Sequence, residues 1–224
     1  MGIPVLVLGE SGSGKSASLR NFEPEDVSIF NVAAKPLPFR KRLPVKSTSD
    51  YSVIMQGIQG SSKKAFVIDD SQYLLCFESF AKAKEIGYGK YTDMALHFYD
   101  LVQFVIRQTP PDVIVYFLHH TETAENTGKV KAKTMGKMLD NQLTLEGLFS
   151  IVLLCFTDGK KHLFITQSDG KTTAKSPMDM FPVEIDNDLK AVDQSIRDYY
   201  ELTPKEAPAT AKKTAKKEKE QTKA

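Results

Sequence analysis

The chain has 224 residues, a formal net charge of +2, 41% hydrophobic and 26% charged residues, the balance of an ordinary globular protein able to bury one sizeable core. Seven Lys and three Glu give residues 203–224 a charge of +4 and leave residues 1–202 at −2. Cys76 and Cys155, far apart and without metal-type spacing, exclude a cysteine-built zinc framework and read as reduced core residues; no apolar run reaches the ~18 residues of a membrane span, and the chain opens on its first strand with no room for a signal peptide, so a cytoplasmic location is expected.

Residues 5–8, Val-Leu-Val-Leu, read as a buried strand running into Gly9-Glu10-Ser11-Gly12-Ser13-Gly14-Lys15-Ser16, which fits G-x-x-x-x-G-K-[ST] at every defined position. That is the pattern of a phosphate-binding loop. Its glycines admit backbone conformations closed to residues with a Cβ, so successive N–H groups can face a polyphosphate, and a short helix over residues 15–21 adds its N-terminal partial charge. Lys15 is expected to reach the β- and γ-phosphates and Ser16 to complete the shell of a magnesium ion. The plain alternative is a glycine-rich turn that binds nothing.

Glu23-Pro24 stops the helix, and residues 27–32 read as the second strand. Three prolines make residues 35–44 a stiff, basic surface loop. Asp50 is placed to cap a helix reaching about residue 58, with Tyr51, Ile54, Met55 and Ile58 at helical spacing. Residues 65–70, Ala-Phe-Val-Ile-Asp-Asp, form a third buried strand ending in two carboxylates, the Walker B pattern. Asp69 there can order or contact magnesium, and Asp70 can orient or deprotonate an attacking water. Two terminal aspartates can also simply cap the helix that starts at Ser71.

Helices are expected over residues 72–86 and 92–108, parted by Gly87-Tyr88-Gly89-Lys90. A fourth strand, residues 113–118, delivers His119-His120-Thr121-Glu122 to its carboxyl end, where ligand sites of open α/β sheets lie. No third ligand stands at a zinc spacing, which leaves a polar γ-phosphate sensor as the functional reading and solvent-facing histidines as the plain one. Residues 121–137 read as a long polar loop whose lysines meet phosphates or merely solvent. Around Asp158-Gly159, residues 149–156 and 161–167 form a hairpin. After a flexible loop over 168–177, a last helix capped by Asp186 or Asn187 carries Leu189, Val192 and Ile196. One domain is expected over residues 1–202, and residues 203–224, without apolar periodicity, read as a disordered Lys-rich tail.

This order of elements resembles the ATPase core of RecA-like recombinases. The segments GESGSGKSASLRN, NVAAKPLPF, FVIDDSQYL, FLHHTET, KVKAKTMGKMLDNQLTLEGLF and TAKSPMDMFP are similar to those of phage-encoded, core-only RecA-like ATPases linked to single-strand annealing and recombination. The resemblance spans nearly all of residues 2–202. It implies an α/β P-loop NTPase with a mainly parallel central sheet flanked by helices and a C-terminal antiparallel hairpin. It implies ATP and Mg2+ as ligands, with Gly9, Glu10, Ser11, Gly12, Ser13, Gly14, Lys15, Ser16 and Ala17 around the nucleotide, Ser16 and Asp69 serving the metal, and His120 as sensor.

The resemblance also puts Lys90 in a first DNA-binding loop and Lys131, Lys133 and Lys137 in a second, on DNA phosphates or bridging subunits. Its implied partners are single-stranded DNA, a single-strand-binding protein and further copies of the chain, with no membrane. Two departures stand out. Val32-Ala33-Ala34 replaces the catalytic glutamate of the recombinases, leaving Asp70 as the nearest base and turnover slow or DNA-stimulated. The chain also starts at its first strand, without the segment through which recombinases polymerise. The function expected is a DNA-associated ATPase for recombination or annealing. The alternatives are an ATP-dependent switch or loader for a replication protein, and a small-molecule kinase, whose usual Arg-rich lid finds only Arg107 and Arg197 after Arg42.

Overall fold

Strands that are apolar at successive positions need cover on both faces, because their side chains alternate between the two. The computed structural model describes residues 1–135 and 143–202, and in it Ile3–Gly9 (β1) is buried from Pro4 onward. Leu6 and Leu8 enter one apolar layer and Val5 and Val7 the other. The remaining strands are Val27–Asn31 (β2), Val45–Ser47 (β3), Ala65–Asp69 (β4), Ile114–Thr123 (β5), Val130–Ala132 (β6), Ile151–Thr157 (β7), His162–Ile165 (β8) and Glu184–Asp186 (β9). The helices are Tyr51–Gln59 (α1), Gln72–Ala81 (α2), Gly89–Gln108 (α3) and Leu189–Tyr199 (α4).

The protein is α/β, with a mainly parallel mixed sheet flanked by helices. Its order is β3-β2-β4-β5-β1-β7-β8-β9. The junctions from β3 through β7 are parallel, while β8 and β9 add antiparallel and β6 folds back on the far end of β5. On one face Ile54 and Ile58 of α1, Leu74 and Leu75 of α2, and Phe98, Leu101 and Val102 of α3 pack with Leu6, Leu8, Phe66 and Ile68. On the other, Leu19 and Phe22 join Leu189, Val192 and Ile196 of α4 over Val5, Val7, Val67 and Leu118. A buried polar tie fixes α4 to the sheet: Tyr116 Oη donates to Asp193 Oδ1 at 2.9 Å and Arg197 Nε to Asp193 Oδ2 at 2.7 Å.

Much of the expected order is present, including the Asp50 cap, which accepts from Ser52 N and Val53 N, and the hairpin of β7 and β8. Four expectations are corrected. The helix after the glycine loop is a six-residue 3-10 turn, Ser16–Asn21, with Lys15 at its N-cap; so short a turn develops little macrodipole. α3 begins at Gly89 rather than residue 92. α4 is capped by Asp188, which accepts from Lys190 N and Ala191 N, because Asp186 belongs to β9 and Asn187 turns its amide to Cys155 Sγ at 3.1 Å.

The fourth concerns residues 121–137. β5 continues to Thr123 and pairs with β6, Thr121 opposite Ala132 and Thr123 opposite Val130, with a Glu122–Lys131 ion pair at 3.1 Å across the ladder. Polar residues on the β5 side and only three residues on β6 leave too short an alternation to announce the hairpin. β3 and β9, three residues each at the two edges, were also invisible to periodicity; short edge strands limit unwanted pairing. No described helix is long and apolar enough to cross a membrane. The proposed tail, residues 203–224, lies outside the described residues.

Candidate functional site

Register alone brings the sequence's polar punctuation to one edge of the sheet. Gly9 on β1 stands opposite His120 on β5, and Asn31 on β2 opposite Asp69 on β4. A cleft of about 370 Å3 opens there, lined by Gly12, Gly14, Lys15, Ser16, Asp69 and Asp70 among others. Gly9 at the end of β1, Glu10, Ser11 and Ser13 in the loop and Ala17 in the 3-10 turn complete the continuous segment, of which Ser11 and Ala17 also border the cleft.

Two glycines shape that loop. Gly12 and Gly14 hold φ of +81° and +102°, a region that disfavours any residue with a Cβ. The N–H groups of Gly12, Gly14 and Lys15 meet no acceptor among the described residues, and the Ser13 hydroxyl is buried without a partner. The buried hydroxyl is costly without a partner, and the N–H groups of exposed Gly12 and half-buried Gly14 are open to an acceptor from solvent. Lys15 is buried and curls back, its Nζ donating to Gly9 O at 2.7 Å and Glu10 O at 2.8 Å. Burial lowers its pKa, against attraction from Cys155, Asp70 and Asp69. The loop is braced from β8, where His162 Nδ1 donates to Ser13 O at 2.7 Å, and from β7, where Cys155 Sγ donates to the same carbonyl at 3.0 Å.

The two carboxylates at the end of β4 take different roles. Ser16 Oγ donates to Asp69 Oδ1 at 2.8 Å, and burial pushes the Asp69 pKa up against that bond. Asp70 departs into the left-handed region with φ of +61°, a strained placement of the kind that collects at functional sites. It does not cap α2, whose first turn has Ser71 at the N-cap and no side-chain cap. Its Oδ2 instead accepts from Lys35 Nζ at 2.7 Å, and its Oδ1 lies 3.2 Å from His120 Nε2. That second contact is too poorly aligned for a full hydrogen bond and leaves Nε2 otherwise unpartnered. Burial raises the Asp70 carboxyl, but His120 and Lys35 outweigh it and hold the pKa at about 2.

The histidine pair divides in the same way. His119 is wholly buried, its Nε2 donating to Lys133 O at 2.8 Å and its Nδ1 2.9 Å from Ser71 Oγ. Burial drops its pKa to about 4, so it is a neutral structural residue. His120 faces the cleft, edge-on to Tyr73 at 5.6 Å. The plain alternative of two solvent-facing histidines does not hold: His119 is buried, as β5 runs on past the pair into the hairpin.

Lys35 and His162 are the polar cleft residues that the sequence reading missed, with Pro36 and Pro38 beside them. Lys35 lay inside a proline-rich stretch read as surface loop, and its only signal was the KPLPF segment itself. His162 sits on a strand far along the chain, and nothing local connects it to Ser13. The lysines proposed for DNA are more dispersed. Lys90 donates to the turn after α2, to Glu85 O at 2.9 Å and Lys82 O at 3.3 Å, and Lys131 pairs with Glu122. Lys133 is exposed and its N–H donates to His120 O at 2.9 Å, at the margin of the cleft. Lys137 lies outside the described residues. A scan of the chain against protein-family models gives no match, and a search of curated proteins gives none either. The site must be read from its own chemistry.

Proposed function

We propose that this chain is a RecA-like P-loop ATPase, binding Mg-ATP at the carboxyl edge of the sheet and acting on single-stranded DNA in phage-type recombination or annealing. The observation that carries the reading is the convergence, across β1 and β4, of the glycine loop, Lys15, Ser16 and Asp69. The donors suit a polyphosphate: the partnerless N–H groups of Gly12, Gly14 and Lys15 and an ammonium satisfied only by loop carbonyls. The acceptors suit magnesium. Among the described residues no three His, Cys, Asp or Glu side chains gather as a metal cage, and magnesium in nucleotide sites uses one or two protein groups together with phosphates and water.

In that site Lys15 exchanges Gly9 O and Glu10 O for phosphate oxygens. Ser16 and Asp69, already bonded to each other, would hold the metal and its water. Magnesium would supply charge neutralisation on the β- and γ-phosphates. Asp70, ionised at neutral pH, is the acceptor available to orient water; Ala33 and Ala34 offer none. The DNA half of the proposal is supported by the resemblance and by Lys133 beside His120. The partners proposed with it are a single-strand-binding protein and further copies of the chain, in the cytoplasm.

A second reading, a nucleotide switch or loader with little hydrolysis, is favoured by one feature: Asp70 is engaged by Lys35 and His120 rather than free to take a proton. ATP binding and turnover by the wild type and Lys15→Ala, with and without single-stranded DNA, test the proposal. The wild type should bind ATP with magnesium, and Lys15→Ala should bind it at least tenfold more weakly, roughly the worth of one charge-assisted contact. Equal binding by both proteins refutes the nucleotide site. Absence of DNA binding at low salt with ATP and magnesium refutes the DNA half, and binding with negligible turnover on any DNA selects the switch.

A further inference from the structure

Lys35 has more structure devoted to it than an exposed ion pair requires. Asn31, buried at the end of β2, gives both ends of its amide to the Lys35 backbone, Nδ2 donating to Lys35 O at 2.5 Å and Oδ1 accepting from Lys35 N at 3.3 Å. Ala34 just before it holds φ of +54°, an unfavourable conformation for a residue with a Cβ. The side chain then passes over the Tyr73 ring, 5.0 Å from its centroid, and ends 2.7 Å from Asp70. With 59% of that side chain exposed, the pair contributes little to stability. A strained turn and a dedicated buried amide are poorly explained by so small a return, and well explained by a need to aim Lys35 at the cleft.

Among the described residues, Lys15 and Lys35 are the two ammonium groups lining this cleft, and they arrive from different strands. Lys15 rises from the glycine loop, where the inner phosphates would lie. Lys35 sits against Asp70, one residue beyond the Asp69–Ser16 pair, where the outermost phosphate would approach.

We propose that Lys35 is a ligand of the terminal phosphate, held by Asp70 while no triphosphate is present and drawn from Asp70 to the γ-phosphate when one enters. This rests on the nucleotide reading above and adds to it a means of telling triphosphate from diphosphate. The exchange swaps one ion pair for another. It frees an Asp70 oxygen to accept from water only when the γ-phosphate is in place, which makes hydrolysis competence a consequence of occupancy.

The test is a fluorescence titration of the full chain with a labelled non-hydrolysable ATP analogue and with labelled ADP, both with magnesium. Lys35→Met keeps the stem and removes the charge; it should weaken the analogue roughly tenfold and change ADP by less than about twofold. Lys35→Arg should retain most of the wild-type preference, because the charge remains. An unchanged ratio of analogue to ADP affinity in Lys35→Met overturns the inference and leaves the nucleotide site standing. Loss of preference in Lys35→Arg as complete as in Lys35→Met also overturns it, since loop shape rather than charge would then be at work. A folded wild type that binds neither nucleotide overturns both readings.

Discussion

Replacing Gly14 by alanine probes the loop geometry on which the site depends. At φ of +102° an alanine carries a backbone penalty of about 1–2 kcal/mol. A Cβ built there would also lie 2.8 Å from His162 Nδ1, 2.9 Å from its Cγ and 3.2 Å from its Cβ. These atoms are near the root of the histidine, so the ring cannot swing aside without giving up its 2.7 Å bond to Ser13 O, worth about 1 kcal/mol. The expected loss for Gly14→Ala is therefore about 2–3 kcal/mol. Gly12 is the internal control: its φ is +81°, but a Cβ there meets nothing within 4 Å, so Gly12→Ala should cost only the backbone part, about 1–2 kcal/mol.

Urea unfolding of Gly12→Ala, Gly14→Ala, His162→Ala and the Gly14→Ala/His162→Ala pair measures this directly. The double variant should be less destabilised than the sum of its singles by about 1 kcal/mol, because removing the ring removes the clash. Additivity within about 0.5 kcal/mol would refute the claimed contact between β8 and the glycine loop.

Two further outcomes follow from buried polar groups. Tyr116→Phe deletes one hydrogen bond and should cost about 1 kcal/mol, whereas Asp193→Ala strands the buried Tyr116 hydroxyl and takes the carboxylate from Arg197, which keeps only Asp112 O and Lys64 O, and should cost about 3 kcal/mol; equal losses in thermal or urea unfolding would show that Asp193 is not the hub of that tie. Asp70, lowered from 3.8 to about 2, contributes stability that is present above pH 3.8 and lost as the pH falls through 2, on the order of 1 kcal/mol because its Lys35 partner is largely exposed and screened by solvent. The stability difference between wild type and Asp70→Asn should shrink across that window, part of the change coming from Asp69, whose carboxyl the Asp70 charge helps to raise, and a difference independent of pH would mean that Lys35 and His120 do not hold the carboxylate.

Elements whose signal is local were legible in the chain. The buried strand into Gly9, the Asp50 cap of α1, the Asp158-Gly159 turn and the Asp69-Asp70 strand end each depend on residues a few positions apart, and each stands where it was read. The 3-10 turn was misjudged because helical spacing and a seven-residue run cannot distinguish it from a short α-helix. The β5–β6 hairpin was missed because its partners on β5 are Thr, Glu and Thr and β6 is only three residues long. Ala132 alone enters the core from it, too short a signal for a hydrophobic period to mark.

The sequence by itself determined which groups could meet a polyphosphate, since a strand, glycines, a lysine and a serine at fixed spacing are a local chemical pattern. Tertiary structure decided what those groups touch. Only the parallel register of β2 with β4 places Asn31 beside Asp69 and so delivers Lys35 to Asp70, and only the order β4-β5-β1 sets His120 between the two motifs while burying its neighbour His119. Contacts between residues 35 and 70, or 13 and 162, are set by how strands stack in a sheet, and no short window of sequence carries that information.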